Sequence, residues 1–456
     1  MAQETHNLPY DLVEGIRKDI FDNSPRPIYE ASLVAALALM AGIVGGTYHV
    51  NGMGLNVYLL LLAGTGTGKD SMSGAIVRLL EEVRKTAPAA NFFGPKPASA
   101  QGMFKALAAN PSFVSHQGEA WNLIQQLCSP KADANSKALL AALLDAFSKT
   151  GPNGKIPTMA YSDTTKNIEV PKGAAFTLLG DSTASEFRRS FDERHVLSGF
   201  MTRMSVVEFT GNVPPLNLHR YTDPVLVERL VSLCSHTLSL RHRHEFQEVL
   251  LDEGAQRQFK WAEEFHLEQM NSKLIPEIEK ALWSRRNEKA YRIAALIAVG
   301  CNPYNPVISE RQAEWALGFE EANTLRLISA FEEGEVGEQA TSEATQQKRV
   351  MAVIKDWFSK PWAELERYSI NKGELMRASG VIPYSYVSKR LTNDAAFKNA
   401  KLGATATLKK TIDELFKRGE LLRVAPKDVQ DKFNTTSECY APKQYSEVIG
   451  DGKAFF

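Results

Sequence analysis

The stretch Tyr58-Leu59-Leu60-Leu61-Leu62-Ala63-Gly64-Thr65-Gly66-Thr67-Gly68-Lys69-Asp70 decides how the chain is to be read. Its first five residues are apolar without alternation and of strand length, the pattern of a central parallel strand covered on both faces. Glycines follow at alternate positions, and from Ser71 to Arg84 the apolar residues Ile76, Leu79, Leu80 and Val83 recur with helical spacing. Strand, glycine loop and helix in this order build an anion nest: the glycines let the backbone turn tightly and aim successive N–H groups inward at a helix N-terminus. Lys69 would then reach phosphate oxygens as a point charge. The competing reading is a plain glycine turn with a solvent-exposed lysine.

The pattern is that of a P-loop, G-x-x-x-x-G-K-[S/T], with two departures: Ala63 at the first glycine position and Asp70 where Ser or Thr normally binds magnesium. The expected nucleotide-binding set is Gly64, Thr65, Gly66, Thr67, Gly68, Lys69, Asp70 and Ser71, holding ATP with Mg²⁺. Asp70 could ligate the cation directly or through water, or pass that role to Ser71. Hydrolysis also needs a carboxylate on a neighbouring strand. Phe113-Val114-Ser115-His116-Gln117-Gly118-Glu119 offers Glu119, with Gly118 where an Asp usually precedes it. One carboxylate lost from the strand and one gained at Asp70 would compensate; a helix N-terminal charge is the alternative for Glu119. The run Phe176–Leu179 ends in Gly180-Asp181-Ser182-Thr183, so Asp181, Ser182 or Thr183 could sense the γ-phosphate, or Thr183 could merely cap a helix. Arg203, in Ser198-Gly199-Phe200-Met201-Thr202-Arg203-Met204, stands on a turn leading into a strand, as an arginine finger for a neighbouring subunit would.

With 456 residues, the chain can hold two or three domains, and its 44% hydrophobic content suits ordinary globular cores. Formal charge is zero, yet residues 345–456 carry 20 Lys+Arg against 13 Asp+Glu, so a basic C-terminal part offsets an acidic body. Cys128, Cys234, Cys301 and Cys439 show no paired spacing, which predicts neither a zinc site nor a disulfide framework and fits a reducing cytoplasm. The N-terminus lacks a signal-peptide pattern, and Leu33–Val44 is too short for a membrane span and reads as a buried helix. Strands are expected at Ser112–Ser115, Ala175–Leu179 and Met204–Phe209, with helices between them, an alternation that predicts an α/β layer. The expected division is an N-terminal helical segment over 1–50, a P-loop ATPase core over 51–222 and a helical lid over 223–335. A polar linker over 336–347 and a winged helix-turn-helix domain over 348–456 complete it.

Taken in order, these pieces resemble the helicase-like P-loop ATPases of phages, plasmids and integrated mobile elements, of the primase-associated replicative type. The resemblance spans roughly residues 28 to 325. It runs from the Ala-rich helix and Gly54–Tyr58 through the glycine loop, Gln101-Gly102, Leu107–Pro111 and the strand ending at Glu119, where Asp-Glu is usual. It continues through Leu139–Phe147, Leu178–Thr183 and Gly199–Met204, similar to a Gly-Phe/Leu-x-x-Arg-Phe motif. It implies an AAA+/RecA-like core, a lid containing Arg285, Arg286 and Arg292, Arg203 as the finger, and Arg286 or Arg292 as a second nucleotide-sensing arginine. It also implies an oligomer of the hexameric-ring kind, working on DNA in a bacterial host cytoplasm beside a primase or other replication protein.

In the basic C-terminal part, Lys389, Arg390, Lys409, Lys410 and Arg423 lie on or beside expected helices and the presumed wing, where they could neutralise DNA phosphates or serve partner docking. Single-stranded DNA is expected in the ring and duplex at the winged helix. The tail Val448–Phe456 could be a docking peptide or a frayed end. The leading expectation is an ATP-dependent DNA motor. Its alternatives are an initiator or helicase-loading ATPase, and a DNA-binding assembly protein that uses ATP as a structural switch.

Overall fold

The apolar run Tyr58–Leu62 forms strand β1, all five of whose residues are buried. The computed structural model in which it is seen describes residues 11–158, 167–272, 275–332, 343–398, 400 and 402–443. Residues 336–342 of the expected linker and the tail 448–456 lie outside the described residues. The chain divides into two compact units, Met1–Phe187 with Glu193–Ile328, and Arg188–Asp192 with Ser329–Phe456.

In the first unit β1 joins β2 (Ser112–Gln117), β3 (Ala175–Ser182) and β4 (Met204–Glu208) in a four-stranded sheet of order β2-β3-β1-β4. Every pairing is parallel. The unit is therefore mixed α/β with a parallel sheet, as the alternation along the sequence predicts. In register, Leu61 lies opposite Asp181 and Gln117 opposite Gly180. The C-terminal ends of β1, β2 and β3 thus share one edge, and parallel sheets gather ligand-binding groups at that edge.

The helix Ser71–Arg84 buries Met72, Ile76, Leu79, Leu80 and Val83, one stripe of an amphipathic helix. Helix Tyr29–Val44 differs: from Ala31 onward every residue is buried, so its Ala-rich sequence serves close approach on all sides. It shares one continuous core with the sheet, with Leu12–Ile20 and with the helices Pro224–His242, Glu253–Asn271, Arg286–Cys301 and Glu310–Glu332. The N-terminal helical segment and the helices expected as a lid are therefore packed into the same core as the sheet. A buried ion pair joins them: Lys289 Nζ lies 2.9 Å from Glu320, whose carboxylate also receives the Ser205 hydroxyl at the root of β4.

The second unit has its own core, built on Ile354, Trp357, Tyr386, Leu408, Ile412 and Tyr440. Its helices include Glu343–Ser359, Gly373–Ala378, Tyr384–Leu391 and Ala404–Lys417. Strands β5 (Ile382–Pro383), β6 (Leu421–Arg423) and β7 (Cys439–Pro442) form an antiparallel sheet of order β5-β7-β6. Trp357 ties helix to sheet margin by donating its indole N–H to the Val381 carbonyl at 3.0 Å. Among the described residues no helix is long and apolar enough to cross a membrane.

Candidate functional site

The glycine loop leaves β1 at Ala63, whose N–H is held by the Ser182 carbonyl at 3.0 Å. Gly66 (φ 77°) and Gly68 (φ 94°) both adopt the left-handed region that disfavours a side chain. Gly68 has a second requirement: a Cβ there would stand 2.8 Å from Arg26 Cβ and 2.9 Å from its carbonyl oxygen. The loop is thus clamped from outside by the turn between the first two helices, and Ser24 Oγ lies 3.3 Å from Ser71 Oγ. Thr67 folds back to donate to the Gly64 carbonyl at 2.7 Å, and Ser71 donates to Gly68 at 2.8 Å. Gly64 and Thr65 are exposed.

Lys69 turns inward, only 5% exposed. Its ammonium is 3.3 Å from Glu119 Oε1 and 3.3 Å from Asp181 Oδ1. Three strands therefore converge on one buried cation. The Lys69 ammonium is the group that faces Asp181 Oδ1, a buried oxygen with no other hydrogen-bond partner among the described residues. The other oxygen, Oδ2, is held at 2.8 Å by His116 Nε2. Burial alone would raise the Asp181 carboxyl, but the hydrogen bond and charge of His116, with the Lys69 ammonium, outweigh it and hold the carboxyl below its ordinary range. Glu119 is in the left-handed region (φ 49°, ψ 44°) just before helix Ala120–Cys128. Such a backbone costs a non-glycine residue on the order of 1 kcal/mol and is retained where its surroundings enforce it.

The other expected residues make different contacts. Asp70, expected to compensate for Gly118, is exposed at the N-terminal end of helix Ser71–Arg84 and caps nothing with its side chain. Ser182 is buried and donates to Glu186 at 3.4 Å, while Thr183 accepts from the Glu186 N–H, a helix-capping role. Of the three residues at the end of β3, Asp181 is the one that meets Lys69. Arg203 immediately precedes β4, and Met204 pairs with Tyr58, so it stands at the edge opposite Lys69. Five strand residues separate the two edges, on the order of 15 Å. Its guanidinium donates to the Gly199 carbonyl at 2.7 Å and packs over Phe147. Arg292 is buried at the same edge, held by Asn56, the Phe147 carbonyl and Glu288. Arg286 is turned into the helical body against Glu321, Trp283 and Phe265. Neither Arg286 nor Arg292 is brought to Lys69.

In the second unit the five basic positions are largely engaged. Lys389 donates to the Tyr368 carbonyl at 2.6 Å, Arg390 pairs with Asp356 at 3.1 Å, Lys410 with Glu343, and Arg423 with Asp413 at 3.3 Å. Lys409 is exposed, its ammonium 6.0 Å from the Tyr384 ring centre.

His116 is the residue that sequence reasoning passed over. Alternate strand residues share a face, so a histidine two positions before Gly118 on a buried strand was the available signal. The Ser24–Arg26 clamp carried no such signal, because it comes from packing of segments far apart in the chain. No protein-family model matches the chain, and no curated protein matches it.

Proposed function

We propose that the chain is a P-loop ATPase with an AAA+/RecA-like core, which binds ATP with Mg²⁺ in the glycine loop and uses its hydrolysis as an oligomeric DNA motor. The carrying observation is Lys69: a buried ammonium at the C-terminal edge of a parallel sheet, facing Asp181 and Glu119 at 3.3 Å each. Burying an ammonium is costly unless it is paired, so this one is placed for anionic oxygens. Triphosphate oxygens at the helix N-terminus can take over that pairing as the carboxylates turn to other work. Glu119, half exposed and backbone-strained, is placed to orient an attacking water.

Among the described residues no three His, Cys, Asp or Glu side chains stand together as a ready-made metal cage. Mg²⁺ in phosphate sites keeps several waters and takes one or two carboxylates, and the buried Oδ1 of Asp181, faced by the Lys69 ammonium, fits that demand. Bound there, magnesium would neutralise charge on the phosphate oxygens. Arg203, at the opposite sheet edge, acts on a neighbouring subunit's nucleotide in a ring, after releasing the Gly199 carbonyl. The second unit supports a winged helix: strands β6 and β7 pair antiparallel after helix Ala404–Lys417, with helix Pro426–Phe433 in the connection between them, and Lys409 is exposed for a DNA phosphate.

Calorimetric titration with a non-hydrolysable ATP analogue and magnesium tests the core of this reading. Lys69→Ala is expected to weaken binding by more than roughly tenfold and to abolish turnover. A wild-type chain that binds no nucleotide would end the proposal. Arg203→Ala should lose turnover while binding stays within about threefold of wild type; full activity would remove its finger role. Strand displacement against origin binding separates a motor from a loader. Gly118 favours a second reading, nucleotide as a structural switch, which single-turnover phosphate release far slower than nucleotide exchange would support.

A further inference from the structure

Gly118 leaves β2 without a carboxylate beside Glu119, and Asp181 lies where such a side chain would point. A Cβ at Gly118 would stand 3.8 Å from Asp181 Oδ2 and 3.9 Å from His116 Cε1. A carboxylate at 118 would therefore bring a second negative charge into the volume already shared by Asp181 and His116, and two carboxylates in one site cannot both ionise freely. The second carboxylate would repel the first, so each arrangement disfavours the other. Because β3 lies between β1 and β2, a carboxylate entering from β3 also starts one strand closer to the glycine loop. His116 occupies Oδ2 and so fixes the carboxylate's orientation, leaving Oδ1 buried and turned to the Lys69 ammonium at 3.3 Å.

We infer that Asp181, held by His116, is the carboxylate that faces the hydrated divalent cation of the bound triphosphate, in place of one at position 118. His116 is its positioning residue. The inference rests on reading the glycine loop as a triphosphate site, and it removes the need for Asp70 to compensate. It also makes position 118 selective: a carboxylate there repels Asp181.

The test uses the full chain, titrated with a non-hydrolysable ATP analogue once with magnesium and once with EDTA, and with Mn²⁺ in place of magnesium for electron paramagnetic resonance. Wild type is expected to prefer the metal-bound nucleotide by more than roughly tenfold. In Asp181→Asn that preference should fall to within about threefold, with metal-free binding retained and the bound-Mn²⁺ signal lost. His116→Leu should behave the same way, whereas His116→Gln, whose amide can still donate to Oδ2, should keep the preference. Gly118→Asp should lose it, and Gly118→Asp combined with Asp181→Asn should recover it. Thermal melts confirm that each variant is folded, and Asp181→Asn with His116→Gln decide the matter if His116→Leu unfolds. Nucleotide binding with an unchanged metal preference in Asp181→Asn overturns the inference and leaves the triphosphate site standing. Absence of nucleotide binding in wild type overturns both.

Discussion

Glu288 shows how a single side chain sets the electrostatics at the edge of the sheet away from Lys69. Its two oxygens lie 2.7 Å from Arg292 and 2.6 Å from Arg285. Burial would raise this carboxyl, but Arg292 and Arg285 outweigh burial and hold it below the ordinary 4.5. Since the folded value is the lower one, its stabilising contribution is complete above pH 4.5 and is lost as pH falls through the folded value. Glu288→Gln should therefore be less stable at neutral pH by about 1.5–3 kcal/mol, with a flatter decline toward acid. Chemical denaturation midpoints between neutral pH and pH 3 would check both parts, and a parallel acid limb in variant and wild type would refute the pairing. At this scale the sequence was informative about Lys69 and Glu119, because type and spacing alone mark a lysine closing a glycine loop and a strand-end carboxylate, which lie 3.3 Å apart in the fold. Asp181 was one of three equal choices. What separates it from Ser182 and Thr183 is the direction of a side chain, which depends on strand register.

Helix Tyr29–Val44 makes the same point for an element. Its apolar run was legible as buried, and the helix is indeed covered on every side. What covers it was not legible. Gly42 lies against β2: a Cβ there would meet the Val114 backbone nitrogen at 2.9 Å and the Phe92 carbonyl oxygen at 3.2 Å. Helix propensity alone predicts that Gly42→Ala stabilises by about 1 kcal/mol. Backbone atoms cannot step aside as a flexible side chain can, so overpacking of about 1–3 kcal/mol should prevail and the variant should be less stable. A thermal melt gives the sign directly, and a raised midpoint would show that the helix is not seated on β2 as described. The glycine loop is an element of the same kind. Its sequence announced the tight turn, while the Ser24–Arg26 clamp upon Gly68 came only from the packing of the first two helices.

For the whole molecule, charge is the property that changes most between chain and fold. Residues 345–456 carry seven more basic than acidic side chains, which invited a DNA-binding reading. In the folded unit Lys410 pairs with Glu343, Arg390 with Asp356 and Arg423 with Asp413, while Lys409 stays exposed. If the proposed DNA contact holds, Lys409→Ala is expected to weaken it more than Lys410→Ala, since Lys410 is already paired with Glu343 and Lys409 has no carboxylate partner among the described residues. Replacing both should lower the slope of log affinity against log salt by about one to two. Fluorescence anisotropy over a salt series measures this, and equal losses for the two single variants would count against the proposed contact at Lys409.

What the sequence determined by itself was local and periodic: a buried strand, a glycine loop that can turn tightly, an amphipathic helix after it, and an α/β alternation around them. Each follows from residues within a few positions of one another, where sterics and hydrophobic spacing act directly. The tertiary structure alone decided which strand lies between β1 and β2, and hence that Asp181 and His116 share the site with Lys69. It also decided that Arg286 and Arg292 are buried and paired with Glu321 and Glu288, and which described surface lysines meet a carboxylate. Those outcomes depend on through-space neighbours dozens to hundreds of residues apart, whose distances are set by packing of the complete core and leave no mark on local spacing.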